Sequence, residues 1–171
     1  MRSKNKISHL YDLFEPGYKF NFTDLQASIG VEQLKKLNSI ISYRKKIRGV
    51  YNKELGNLEK KKLIKIFKIK KNFKSSEYIY TILINKNKDQ QLRDKLIQFL
   101  KKNKINTTVH YIPLFELKFY KDKFSKKKFP NTNYVYKNIV SLPFHNKLKL
   151  NQVKYISNKI NDFFNYENKK K

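Results

Sequence analysis

Two short stretches carry polar side chains where binding chemistry is expected. In the first, Lys19 and Asn21 alternate with aromatic residues just before a helix that the sequence predicts from Thr23. A helix N-terminus has unpaired N–H groups and a partial positive charge, which suit a phosphate. The ammonium and amide groups directly upstream would add donors. The stretch therefore predicts an anion site, and the alternative interpretation is a solvated loop.

The second stretch is "INTTVHYIPLF", residues 105–115, which places His110 and Tyr111 at the end of a predicted strand and just before Pro113. Side chains at strand ends often line pockets, so these two residues are candidates for binding. The alternative is a strand-end histidine with an ordinary hydrogen bond.

Self-contained catalytic machinery is not evident in the sequence. The three histidines, His9, His110 and His145, lack metal-ligand spacing, and there is no cysteine, so we expect no metal site. Four scattered glycines cannot build a phosphate loop, and no serine lies in a nucleophile-elbow pattern. We therefore assign no catalytic residue.

The formal net charge is +27, which by itself suggests nucleic acid or an anionic surface as a partner. The lysines are spread along the whole chain, however, and the enriched residues Lys, Asn, Ile, Phe and Tyr all have A/T-rich codons. A genomic base bias explains much of the charge, so nucleic acid is not the expected partner. Neither an apolar membrane span nor a signal peptide is evident, and we expect a cytoplasmic protein with no membrane partner.

A long helix, or two helices in sequence, is predicted over residues 23–57. Thr23 and Gln26 form a capping-box pattern at its start, a kink is expected near residues 38–39, and a stop near residues 56–57. Its apolar residues recur at three- and four-residue steps along one face: Ala27, Val31, Leu34 and Leu37.

A small sheet is predicted from three apolar segments, at residues 62–69, 77–85 and 105–115. The second is a nearly continuous apolar run, as expected for a strand covered on both faces. Further predicted elements are a helix from Leu92 to about Lys102, short helices at 115–120 and 132–140, loops at 85–89, 121–131 and 141–148, and a last amphipathic helix. Together they predict a two-layer α+β unit.

Three ordered segments, residues 15–47, 92–115 and 129–156, carry a family resemblance. They contain "GYKFNFTDLQASIG", "INTTVHYIPLF" and "SLPF" in that order. In these motifs the chain resembles the DegT/DnrJ-type sugar aminotransferases over about residues 12–165. These enzymes use pyridoxal 5'-phosphate (PLP) to aminate keto sugars carried on nucleotides.

The resemblance implies the small C-terminal α+β domain of the fold type I PLP-dependent transferases. It divides the chain into an interface loop segment (1–22), a long connecting helix or helix pair (23–57), the small domain (58–165) and a frayed tail (166–171). It also implies a homodimer in the complete enzyme. In such a dimer Asn21, with Lys19 as second candidate, would reach the PLP phosphate bound by the partner subunit, while His110 and Tyr111 would contact the nucleotide sugar.

Two departures from the family pattern matter. The family's PLP-binding lysine and its surrounding segment are not found in this sequence, and Phe115 replaces a histidine that is common after Pro-Leu. The expectation is a C-terminal fragment that is inactive alone and needs an N-terminal PLP domain or a second subunit. The predicted helix face at 27–37 would then include surface meant for that partner. The competing hypothesis is a small basic nucleic-acid-binding or interaction module.

Overall fold

The computed structural model describes Gly17 and residues 21–85, 91–123 and 128–169. In chain order the elements are α1 (Asp24–Lys35), α2 (Leu37–Lys60), β1 (Ile64–Ile66), β2 (Tyr80–Ile84), α3 (Leu92–Lys102), α4 (Lys118–Lys121), α5 (Pro130–Asn138), β3 (Ile139–Leu142) and α6 (Leu150–Lys169). A 3₁₀ turn, Leu114–Glu116, precedes α4. The small α+β domain predicted from the sequence is confirmed.

The N-terminal helical region is a pair of helices. The capping box is present, with the Thr23 backbone N–H donating to Gln26 Oε1 and the Gln26 N–H donating to Thr23 Oγ1. The break lies at Lys36, slightly earlier than the predicted kink. The predicted stop near residues 56–57 is wrong, because α2 continues to Lys60 and buries Leu58 on the same apolar face.

The three strands form an antiparallel sheet in the order β1-β2-β3. The third strand is not the predicted one. Residues 105–115 contain only an isolated bridge between Thr108 and Ser141, whereas β3 lies where the sequence predicted the end of a helix and a loop. Ser141 is paired on both sides, with Thr81 of β2 and with Thr108.

Helices α2, α3 and α6 pack against the face of the sheet that carries Ile82 and Ile84. On the other side, Leu83 and Ile139 pack with Val109 and with residues of α5. Strand β2 is therefore covered on both faces, as its continuous apolar sequence predicted. This packing places the segment after residue 105 beside the outer edge of β3.

Helix α1 has no buried residue. Of the predicted partner face, Val31, Leu34 and Leu37 are exposed and Ala27 is half-buried. The full set of exposed large apolar side chains here is Phe22, Leu25, Ile29, Val31, Leu34 and Leu37. At the other end of the chain, α6 runs to Lys169, into the segment expected to be a tail.

Candidate functional site

His110 is fixed against the outer edge of β3. Its Nδ1 lies 2.7 Å from Ser141 Oγ and 3.4 Å from Thr108 Oγ1, and the His110–Tyr111 peptide bond is cis. Two backbone hydrogen bonds hold Thr108 and Ser141 together at the same place, so the ring is attached to a rigid part of the sheet. Among the described residues, nothing pairs with His110 Nε2, which leaves this nitrogen available to a ligand.

Tyr111 is 60% exposed, and its ring meets that of His110 edge-on at 4.6 Å between centroids. Farther along the same segment, a cavity of about 200 Å³ is lined by Pro113, Leu114, Phe115, Phe129 and Thr132. The lining is mainly apolar, with the Phe115 and Phe129 rings stacked at 5.9 Å. The segment thus carries two polar ring groups and, from two residues after Tyr111, part of the lining of a small apolar recess, and both features suit the binding of a small molecule.

Asn21 is exposed and lies two residues before Thr23, the N-cap of α1. The Gln26 and Ala27 backbone N–H groups are bonded to Thr23, whereas within the described part of the chain the N–H groups of the first two helical residues have no acceptor. Asn21, three residues before the first residue of α1, carries a further amide donor that is exposed. Lys19, the second candidate, lies outside the described residues.

The described site residues predicted from the sequence therefore lie in two separate segments: Asn21 precedes α1, and His110 and Tyr111 follow residue 105. Sequence reasoning missed Ser141, whose Oγ lies within hydrogen-bond distance of His110 Nδ1. The signal for it was present, because Ser141 opens the Ser-Leu-Pro motif used in the family resemblance.

A buried polar cluster lies between α2 and β2. The Tyr51 and Tyr80 rings stack at 4.6 Å, and their hydroxyls donate to Pro143 O (2.9 Å) and Asn52 Oδ1 (2.8 Å). Burial raises the pKa of both phenols well above the usual value near 10; the Arg48 guanidinium opposes this for Tyr80. Each buried hydroxyl has a partner, so the cluster is a structural support rather than a candidate site.

Within the described ranges there is no group of three or more metal-ligating side chains. No helix of that part of the chain is long and apolar enough to cross a membrane.

Residues 1–161 match the model of the DegT/DnrJ/EryC1/StrS aminotransferases. The chain belongs to this family. The membership confirms the resemblance drawn from the sequence motifs and favours the aminotransferase hypothesis over a nucleic-acid-binding module.

Two family relatives illustrate the similarity. The chain is 42% identical over 149 residues to the uncharacterized protein MJ1066 of Methanocaldococcus jannaschii, covering 86% of this chain and 38% of that protein. It is 33% identical over 145 residues to the UDP-4-amino-4,6-dideoxy-N-acetyl-beta-L-altrosamine transaminase of Campylobacter jejuni, covering 85% of this chain and 38% of the transaminase. The chain thus spans well under half the length of the relatives it matches.

Among solved structures, Spr1654 of Streptococcus pneumoniae, described as a sugar aminotransferase, superposes in its PLP form with a TM-score of 0.76 at 31% identity. The match covers 90% of this chain and 38% of that protein. PseC of Helicobacter pylori, an aminotransferase of pseudoaminic acid biosynthesis, shares the fold with a TM-score of 0.71 at 23% identity, covering 91% of this chain and 41% of PseC. The small domain described above is thus a recurring part of family aminotransferases.

Proposed function

We propose that this chain supplies the C-terminal part of a PLP-dependent sugar aminotransferase site, which aminates a keto group on a nucleotide-linked sugar. Family membership is the observation that carries the proposal. The remaining part of the site, including the lysine that binds PLP covalently, comes from an N-terminal domain or a second subunit. The complete enzyme acts as a homodimer in the cytoplasm, and this chain alone is inactive.

The first contribution is a phosphate contact. Asn21 has an exposed amide and comes three residues before α1 in the chain, which suits it to donate to a phosphate oxygen, and Lys19 is the second candidate for the same contact. Both would reach the PLP phosphate held by the partner subunit. When bound, PLP supplies the electron sink that amino-group transfer requires.

The second contribution is to substrate binding. His110 is held by Ser141, and Tyr111 exposes its ring to solvent two residues before Pro113, which lines the apolar cavity. We assign the two rings to hydrogen bonds with the substrate sugar or its phosphates and the cavity to its apolar face. Phe115, which is 4% exposed and stacked on Phe129, fills a packing role.

The experiment joins this chain to the upstream part of a family relative and measures PLP affinity and transamination. Asn21→Ala should weaken PLP binding about ten- to a hundredfold, because a charge-assisted hydrogen bond contributes about 1.5–3 kcal/mol. Lys19→Ala, alone and in combination, tests the second candidate. His110→Ala and Tyr111→Ala should raise the KM for the nucleotide sugar while leaving PLP affinity unchanged.

Asn151→Ala, at an exposed position of α6, is the matched control and should change neither quantity. If the Asn21 and Lys19 variants keep parental PLP affinity and turnover, singly and together, neither residue holds the phosphate. A joined protein that binds PLP yet transaminates no nucleotide sugar contradicts the proposed activity.

The isolated chain provides a simpler test. Since the family's PLP-binding lysine context is not in this sequence, mixing the pure chain with PLP should give no stable, stoichiometric covalent adduct. An absorption band that one lysine substitution abolishes would refute this part of the proposal.

A further inference from the structure

A basic and apolar loop follows the edge strand β1. All eight of its residues, Phe67–Lys74, with the sequence "FKIKKNFK", are exposed. Phe67 is 41% exposed, Ile69 43% and Phe73 67%. The other five residues are four lysines and one asparagine, so this short surface segment, here called the basic loop, combines three large apolar side chains with four positive charges.

Both ends of the basic loop are fixed to α2. Before it, the Ile66 N–H donates to Glu59 Oε1 at 3.1 Å. After it, Arg48 binds the Glu77 carboxylate at 2.6 Å, and Arg44 Nη1 donates to the Glu77 carbonyl at 3.2 Å. A backbone hydrogen bond from Phe73 N–H to the Lys70 carbonyl folds the middle. Hydrogen bonds to α2 thus fix the residues on both sides of the basic loop, while the loop itself stays exposed to solvent.

The carboxylates closest in sequence do not neutralise the loop. Glu59 accepts the Ile66 N–H and lies 3.9 Å from Lys68, whose side chain is still 82% exposed. Glu77 is 1% exposed and paired with Arg48. Residues 60–76 contain eight lysines and no acidic residue. Lysine is therefore more concentrated in residues 60–76 than along the chain as a whole, and this surface is locally basic.

We propose that the basic loop is a peripheral contact site for an anionic lipid bilayer. Clustered lysines are attracted to anionic headgroups, and exposed phenylalanine and isoleucine side chains gain free energy by entering the headgroup–acyl boundary. Tyr78, which is 68% exposed after the loop, has the amphipathic ring favoured at that boundary. This peripheral contact departs from the sequence-based expectation of no membrane partner, although it requires no membrane-spanning helix.

The residue types favour lipid over single-stranded nucleic acid. Nucleic-acid platforms rely on aromatic stacking and on arginine, whereas the basic loop has no arginine and one of its three apolar residues is aliphatic. Lysine side chains extend from an apolar surface toward headgroups. The lysines complement the charge of an anionic bilayer, and the three apolar side chains suit its headgroup–acyl boundary, so both features favour a bilayer as the partner.

The experiment measures co-sedimentation of the chain with phosphatidylcholine vesicles and with phosphatidylcholine–phosphatidylglycerol vesicles at physiological ionic strength. Binding is expected to the anionic vesicles. A variant with Lys68, Lys70, Lys71 and Lys74 changed to Gln should bind them at least about tenfold more weakly. A variant with Phe67, Ile69 and Phe73 changed to Ser should lose about as much.

Two matched controls separate the loop from the rest of the surface. Changing four exposed lysines on α2 and α3 to Gln (K45Q/K46Q/K101Q/K102Q) removes the same charge. Changing Leu150, Tyr155 and Tyr166 to Ser removes three exposed large apolar side chains of α6, away from the α1 face. Both controls should bind within about twofold of the parent, since the basic loop is intact.

The proposal is overturned if the parent does not bind anionic vesicles, or if the lysine control loses as much binding as the loop variant. It is also overturned if the chain binds a single-stranded oligonucleotide more tightly than the vesicles and the loop variants abolish that binding. The lysine variant and the apolar variant change different residues of the basic loop. If circular dichroism shows that one of them does not fold, the other still tests the proposal.

Discussion

Arg48 Nε lies 2.6 Å from Glu77 Oε2, and this ion pair joins the middle of α2 to the chain just before β2. Glu77 is 1% exposed, and the Arg48 guanidinium also lies over the Tyr80 and Phe144 rings, 5.4 and 5.7 Å from their centroids. Glu77 Oε1 has no hydrogen-bond partner in the described structure. Arg48 therefore carries most of the compensation for a buried carboxylate.

Removing one partner of this pair should destabilise the domain strongly. Arg48→Met leaves the Glu77 carboxylate buried without its cation, so we expect the free energy of unfolding to fall by about 3–5 kcal/mol. Urea denaturation followed by circular dichroism measures the change. Asp162→Asn, which breaks the more exposed Lys159–Asp162 pair, is the matched control and should cost at most about 1 kcal/mol. If the free energy of unfolding of Arg48→Met falls by no more than that of the control, the Arg48–Glu77 pair does not stabilise the domain.

The stacked tyrosines predict sensitivity to alkaline pH. Burial raises the pKa of Tyr51 in the folded state above its unfolded value near 10, so the folded state holds the phenolic proton more tightly. The resulting stability is fully present below about pH 10 and is lost as pH rises from there toward the folded-state pKa. Tyr51→Phe should therefore lose less stability than the parent between about pH 9 and pH 11 in urea denaturation.

Tyr51→Phe also has a cost at neutral pH, because the hydroxyl that donates to Pro143 O is lost; we expect about 1 kcal/mol. Tyr78→Phe removes an exposed hydroxyl and is the control, whose stability should follow that of the parent at neutral and at alkaline pH. An equally steep alkaline loss in Tyr51→Phe and parent would contradict the assignment.

The exposed face of α1 predicts self-association of the isolated chain. Contiguous apolar surface on a helix without buried residues favours contact with a second copy or with the rest of the enzyme. Leu34→Glu should weaken this association about tenfold or more in sedimentation equilibrium, because a charge would be buried in the contact. Asn158→Glu adds the same charge to an exposed position of α6 and should have no effect. A chain that stays monomeric at high concentration would exclude the prediction.

Ser141 should control the orientation of the His110 ring. Ser141→Ala removes the nearer of the two hydroxyls that contact Nδ1 and should shift the imidazole nitrogen resonances of His110, with about 1 kcal/mol lost in stability. Ser157→Ala removes another buried hydroxyl, one that donates to the Val153 carbonyl of its own helix. This control should leave the His110 resonances in place. Unchanged resonances in Ser141→Ala would mean that Ser141 does not position the ring.

The fold class, the capping box, the helix Leu92–Lys102 and the doubly covered strand were all predictable from the sequence, because each has a strong local pattern. The third strand was not. Strand β3 has only four residues, all buried, so it shows no alternation and runs on from the apolar pattern of α5. Residues 105–109 alternate between buried and exposed side chains like a strand, yet only Thr108 pairs with the sheet.

The candidate site was predictable only in part, because hydrogen bonds between distant segments leave little local pattern. His110 and Ser141 are 31 residues apart. The scarcity of arginine was a usable signal that sequence reasoning left aside. Arg44, Arg48 and Arg93 all donate to a main-chain carbonyl of another segment, which exploits the fork geometry that lysine lacks.

The helix break at Lys36 divides the chain into parts with different opening free energies. Helix α2 buries Ile47, Tyr51, Leu55 and Leu58 in the core, whereas α1 buries nothing. Amide hydrogens of α1 should thus exchange with solvent by local fraying, while those of α2 wait for global unfolding. Binding of a partner to α1 would suppress this local opening and slow the exchange of its amide hydrogens, so exchange rates would report assembly helix by helix.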